Sequence, residues 1–356
     1  MKRHYLILMA LLLAGCEQAV DSGTSLSPEE DVLATTLRID ATASDDAVVT
    51  LGRVLFYERQ LSHDGTISCA SCHRQSEGFS DGRRLSGGVG GALTARHSMS
   101  VANTVLYPNG RMFWDERASS LEEQALGPIQ NPAEMDLTLE EAVARIDALP
   151  YYDVLFELAF GDDAVSMDRI GKALAAFEET IVTRETRWDD WIAAGGVPGP
   201  GPGGLGPMGA NPLGVLTDQE DFGRRLFFSP RTQCGACHGG PDFTTAGPLN
   251  NGLDLDTSSD EGAGRGRFKS PSLRGIEQTA PYMHDGRFGT LREVINHYDS
   301  GVQAHLFLDN RLRDNSGQPR RLNLTETEKS ALEAFLRTLT DESLAVDERF
   351  SDPFIR

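Results

Sequence analysis

Cys69-Ala70-Ser71-Cys72-His73 and Cys234-Gly235-Ala236-Cys237-His238 are two copies of C-x-x-C-H, and no other feature so narrows what this chain can fold into. Two thiols at that spacing can add across the two vinyl groups of one porphyrin, and the histidine that follows reaches the iron from the proximal side. A single copy can arise by chance or form half of a zinc site. Here the two copies use four of the five cysteines, and zinc binding would leave both histidines unexplained. The pair predicts two covalently bound haems c.

The fifth cysteine closes Leu13-Ala14-Gly15-Cys16, behind Lys2-Arg3 and an apolar run from Tyr5 to Leu13. The run suits a signal h-region and is too short to span a bilayer. Small residues before the cysteine resemble a bacterial lipobox, which implies lipidation of Cys16, and several acyl chains on one residue anchor stably. An ordinary secretory signal with a chance cysteine is the plainer alternative; either predicts export. Glu17 in place of aspartate resembles the signal for outer-membrane sorting, so the expected location is the periplasmic side of that membrane, held by the lipid anchor.

The formal charge of −20 becomes −22 once Lys2 and Arg3 are removed. Non-specific nucleic-acid binding needs a basic surface, so that class is excluded. The acidity favours solubility or a basic electron donor. A length of 356 residues suggests two domains.

An internal repeat places them. Gly52-Arg53-Val54-Leu55-Phe56-Tyr57 returns as Gly223-Arg224-Arg225-Leu226-Phe227-Phe228, 171 residues on, while the first cysteines lie 165 apart. Each copy reads as a helix (Val48, Leu51, Leu55; Phe222, Leu226) leading through a loop to C-x-x-C-H. Gly/Pro-rich chain separates the copies. The expected organisation is a signal and lipobox over 1–16, an acidic tether over 17–44 and a first haem domain over 45–194. A linker over 195–214, a second haem domain over 215–345 and a tail over 346–356 follow. Capping boxes at Thr138/Glu141, Thr290/Glu293 and Thr325/Glu328 open further helices, and Met167, Ile170, Leu174, Phe177 and Ile181 form one apolar stripe. The class is mainly α, with two cytochrome c-like haem domains in one chain.

Between the first haem motif and the linker lie Gly110-Arg111-Met112-Phe113-Trp114-Asp115-Glu116-Arg117 and Leu121-Glu122-Glu123-Gln124, continuing to Asn131-Pro132-Ala133-Glu134-Met135. After the second come Thr279-Ala280-Pro281-Tyr282-Met283-His284-Asp285-Gly286-Arg287-Phe288 and Leu291 to Tyr298. In this order, from about Leu51 to Leu339, these strings resemble the bacterial di-haem cytochrome c peroxidase family and its MauG-like branch.

The resemblance implies a peroxidatic haem on Cys69, Cys72 and His73, and an electron-transfer haem on Cys234, Cys237 and His238. Gln124 and Glu134 match the family's distal pair. A carboxylate can move a proton between the two peroxide oxygens, and a neutral amide can orient peroxide without titrating. On residue type alone, a solvated loop carboxylate and a helix-surface glutamine remain alternatives. Trp114 matches the tryptophan between the haems, a relay for electrons or holes that can equally be a core aromatic.

Tyr298 stands fourteen residues after His284, where activation-dependent peroxidases place a methionine ligand and the MauG-like branch a tyrosine. A phenolate favours ferric iron and lowers the potential. If Tyr298 were only a core tyrosine, Met283 or His297 would be the replacement ligand. The activation-dependent members carry a distal histidine at the place of Val89, and no histidine lies between His73 and His97, so the first haem is expected to keep an open sixth position. His97 stands where the family has an asparagine that helps bind calcium between the haems, with backbone carbonyls matching Thr279 and Pro281. Calcium prefers oxygen, so the resemblance leaves calcium open here.

Three functions follow from these readings. The first is reduction of hydrogen peroxide with electrons from a small cytochrome or copper protein. The second is MauG-like, peroxide-dependent oxidation of a partner protein. The third, a non-catalytic di-haem carrier, would need no distal acid–base pair. A homodimer stays open.

Overall fold

The computed structural model describes residues 32–33, 35–39, 46–197 and 211–355. The Cys16 lipobox and linker residues 198–210 lie outside them. Nine helices carry the description: α1 (Ala47–Tyr57), α2 (Leu121–Gln130), α3 (Leu139–Asp147), α4 (Pro150–Phe160), α5 (Met167–Thr180), α6 (Arg187–Ala193), α7 (Asp218–Phe227), α8 (Leu291–Asn296) and α9 (Glu326–Arg337). Strand pairing among the described residues is confined to isolated bridges, so the fold is mainly α.

Helix starts follow the sequence chemistry. The boxes at Thr138, Thr290 and Thr325 close reciprocally; Glu141 N–H donates to Thr138 Oγ1 at 3.2 Å while Thr138 N–H donates to Glu141 Oε2 at 3.1 Å. Thr186 and Thr217 form two more.

The repeated glycine marks the tightest point of each half. A Cβ on Gly52 in α1 would stand 1.9 Å from the carbonyl oxygen of Ala173 in α5, and one on Gly223 in α7 would stand 1.9 Å from that of Ala331 in α9. Only glycine permits backbones to cross so closely. Around each crossing sits the same aromatic trio. Phe56 lies 5.3 Å from Phe177 and 6.2 Å from Phe79; Phe227 lies 5.2 Å from Phe335 and 6.1 Å from Phe243.

Two separate cores result, and their membership departs from the expected limits. Trp188 and Trp191 of α6 stack 4.8 Å apart within the second core, although the sequence assigned them to the first domain. The terminal stretch is no free tail. Leu344 and Phe350 are buried in the first core, Tyr57 Oη donates to Phe350 O at 2.6 Å, and Arg53 binds Ser351. Part of the expected tether joins them: Leu33 and Leu37 are buried there, and Leu37 bridges to Phe354. Phe222, assigned to the apolar stripe of α7, is instead exposed.

Gly→Ala inside a helix normally stabilises by about 1 kcal/mol, whereas overpacking costs roughly 1–3 kcal/mol. Gly223→Ala and Gly52→Ala should therefore lower the thermal unfolding midpoint of the holoprotein. A raised midpoint in calorimetry would mean that the helices do not cross this closely.

Candidate haem sites and the junction between them

In the first domain Cys69–Cys72 form one helical turn, with His73 as its C-cap. His73 is half-buried, and its Nδ1–H donates to the carbonyl of Phe79 at 3.1 Å. A carbonyl can only accept, so the proton sits on Nδ1 and the Nε2 lone pair is left for a metal. The second domain repeats the device: His238 Nδ1–H donates to Phe243 O at 3.2 Å. Burial pushes both imidazoles below the ordinary histidine range, His238 to about 4. Neutral imidazoles beside paired free cysteines fit two c-type haems. The carbonyl acceptors belong to the residues of the aromatic trios, so each helix crossing aims its proximal histidine.

The distal side of the first site is a loop packed on a loop. Val89 N–H donates to Glu134 O at 2.9 Å, and a Cβ on Gly88 would stand 2.2 Å from Ala133 O. Glu134 is partly buried; Asn131 Nδ2 donates to its Oε1 at 2.7 Å. Burial raises its carboxyl above the usual carboxylate range, against the Asn131 bond. Gln124 lies half-buried on α2.

In the second site Tyr298 shares one cavity with Cys234, Cys237, His238 and Met283. It is the second residue of a π-helical turn, His297–Gly301, that continues α8, an irregularity that often marks functional positions. Burial raises its phenol to about 12, opposed by a bond from the Asn251 side chain. The two alternative ligands fare differently. His297 Nε2 is spent on the carbonyl of Asn251 at 3.2 Å. Met283 does line the cavity, its sulfur accepting from Asn251 Nδ2 at 3.4 Å.

A second repeat, hidden in the sequence, relates the two distal segments. Met112 bridges Ala118 as Tyr282 bridges Phe288. Helix α2 follows with N-cap Ser120, as α8 does with N-cap Thr290. The offset is 170 residues, which pairs Trp114 with His284 and Tyr298 with Pro128. Where the second domain offers a phenol, the first has a side chain that cannot ligate.

Between the sites the chain ties itself together. Trp114 Nε1–H donates to His97 O, and His97 N–H donates to His284 O, both at 2.8 Å. The Trp114 ring meets His284 edge-on at 6.5 Å, and His284 stacks on Phe268 at 3.6 Å. Arg96 clamps Asp260 of the second domain through two 2.8 Å bonds and pairs with Asp115 at 2.7 Å. The His97 ring is occupied: Nδ1–H donates to Arg83 O at 3.0 Å, and Nε2 rests 3.3 Å from Ser80 Oγ. It offers no oxygen to a cation, and among the described residues no three His, Cys, Asp or Glu side chains converge as a metal site. His97 therefore cannot supply the side-chain oxygen that an asparagine would offer a calcium ion here.

Residues 46–196 match the family model described as di-haem cytochrome c peroxidase. The chain is 34% identical over 313 residues to the methylamine utilization protein MauG of Methylorubrum extorquens, covering 84% of this chain and 79% of the relative. It is also 34% identical over 306 residues to cytochrome c551 peroxidase of Nitrosomonas europaea, covering 82% and 79%. The crystal structure of a MauG-like protein associated with microbial copper homeostasis superposes with a TM-score of 0.74 at 32% identity, over 89% of this chain and 96% of the other.

The chain belongs to the di-haem cytochrome c peroxidase family. It is a haem c oxidoreductase with peroxide as acceptor. Family membership accounts for the paired proximal histidines, and the distal roles of Gln124 and Glu134 rest on the resemblance of their motifs.

Tyr298→Phe should leave two haems attached but alter the spectrum of the second haem and raise its potential, because an anionic donor is lost. An unchanged potential in redox titration would exclude the phenolate as ligand.

Proposed function

We propose that the first haem site cleaves hydrogen peroxide and that the second, whose iron His238 and Tyr298 would hold, passes electrons to it through the Trp114 junction. When bound, the haem supplies an iron centre that takes up the two oxidising equivalents of peroxide. Around it Glu134 accepts the proton of one peroxide oxygen and returns it to the other, which leaves as water. Burial raises its pKa, which makes it the stronger base for the first half of that transfer and leaves it a far better acid than water for the second. Gln124 orients peroxide without titrating.

The observation that carries this reading is the unlike pairing of matched positions: Pro128 in the first distal segment, Tyr298 in the second. With Val89 in the loop over Glu134 and Pro128 at the position matched to Tyr298, neither of these positions offers the first site a ligand. Electrons would come from a small cytochrome or copper protein.

Tyr298 also favours a second reading, in which peroxide drives oxidation of a partner protein's residue. Relatives named for methylamine utilization and copper homeostasis support weighing it beside peroxide reduction. We also propose that Cys16 anchors the chain to the outer membrane; fatty-acid labelling that survives Cys16→Ala would contradict this.

Glu134→Gln keeps size and polarity but removes the titratable group. Peroxide cleavage, followed by stopped flow, should slow about 10²–10⁴-fold at constant haem content. Gln124→Leu should lose less, because it removes orientation and leaves the proton path. Equal cleavage rates in wild type and Glu134→Gln would return Glu134 to the solvated loop.

A further inference from the structure

The cavity that holds Cys234, Cys237, His238 and Tyr298 has a charge in its wall that neither haem attachment nor proton transfer uses. Lys269 lines it and is 5% exposed. Its backbone N–H donates to the carbonyl of Trp114 at 2.8 Å, which sets its side chain against the loop before α2. There Nζ donates to Arg111 O at 2.9 Å and stands 3.8 Å from both the Tyr107 ring centre and Met112 Sδ. None of these partners is an anion. Glu116, the carboxylate that acts on Lys269, is engaged elsewhere: it accepts from Tyr107 Oη and, at 3.1 Å, from Asn109 Nδ2. Among the described residues no carboxylate forms an ion pair with Nζ.

An ammonium held away from water without an anion tends to lose its proton. Burial indeed pushes Lys269 down to about 8, with Glu116 opposing. The wall is completed if the ligand itself brings the anion. Porphyrin chemistry says which one. The vinyl edge is taken by the cysteine loop, whose carbonyl at Ala236 accepts from Arg311 at 2.7 Å within the second domain. Propionates sit on the other edge of the ring. The wall that Lys269 joins is contributed by first-domain residues, Thr104, Tyr107 and Trp114.

We propose that Lys269 is a positioning residue for the second haem: its ammonium pairs with one propionate carboxylate, and its backbone bond to Trp114 holds that edge of the haem at the junction. The proposal rests on haem attachment at Cys234 and Cys237. A charge-assisted bond of this kind runs to about 2.7–2.9 Å, and the third N–H, left with only the weak sulfur contact, is the one free to make it.

The test compares holoenzyme carrying Lys269→Met or Lys269→Arg with wild type, after a pyridine haemochrome assay has counted the haems. In Lys269→Met the second haem's midpoint potential should fall, because a propionate deprived of its cation favours ferric iron, while the first haem's stays in place. Lys269→Arg should restore the potential. A lysine acting only as a strut for Arg111 and Trp114 would lower the unfolding midpoint and leave both potentials alone, which overturns the proposal. Should Lys269→Met fail to fold, a crystal structure of wild-type holoenzyme decides. A propionate oxygen about 3 Å from Nζ supports the pairing, and Nζ bound only to protein and water refutes it. A haem count below two would refute haem attachment itself, independently of Lys269.

Discussion

Everything in this molecule hangs on two helix crossings in which a neighbouring carbonyl occupies the place of a missing Cβ. At Gly52 and Gly223 the helices α1 and α7 come down onto α5 and α9 closely enough to clamp Phe56 on Phe177 and Phe227 on Phe335. The third ring of each trio, Phe79 or Phe243, is pinned by that clamp. Its carbonyl then holds Nδ1–H of the proximal histidine and frees the other nitrogen for iron. Packing, tautomer and metal ligation are therefore one chain of causes, used twice.

The two halves differ where their tasks differ. Matched distal segments end in Pro128 on one side and Tyr298 on the other, so of the two matched positions only the second carries a group able to ligate iron. The junction between them is made from protein: Arg96 spanning Asp115 and Asp260, His97 between Trp114 and His284, and Lys269 on the carbonyl of Trp114. Trp114 thus bonds to both neighbours through fixed groups, which suits a relay whose ring must stay put between two redox centres.

Much of this could be read from the sequence because the causes are local. Thr138, Thr290 and Thr325 announce their helices three residues ahead, and C-x-x-C-H states its ligand by spacing alone. What stayed hidden depends on tertiary partners. Phe350 looks like part of a polar tail until Tyr57 accepts it into the first core. Trp188 and Trp191 fall within the sequence limits of the first domain, but Trp188 packs on Phe243 and Phe335 of the second core and Trp191 stacks on Trp188. The repeat that aligns Tyr298 with Pro128 shares only Asp115/Asp285, Arg117/Arg287, Leu121/Leu291 and Glu123/Glu293, too few to stand out before the bridges at Met112 and Tyr282 set the register. Lys269 gives no signal at all in sequence, since its meaning lies in burial without an anion.

The central claim is that the first haem is open in the resting enzyme while Tyr298 closes the second. Rapid mixing of fully oxidised holoenzyme with hydrogen peroxide tests it most directly. The account predicts an immediate change in the haem spectrum, first order in peroxide, with no prior reduction. Reaction that begins only after one electron has been added would mean that a ligand closes the first site, and the account would fail.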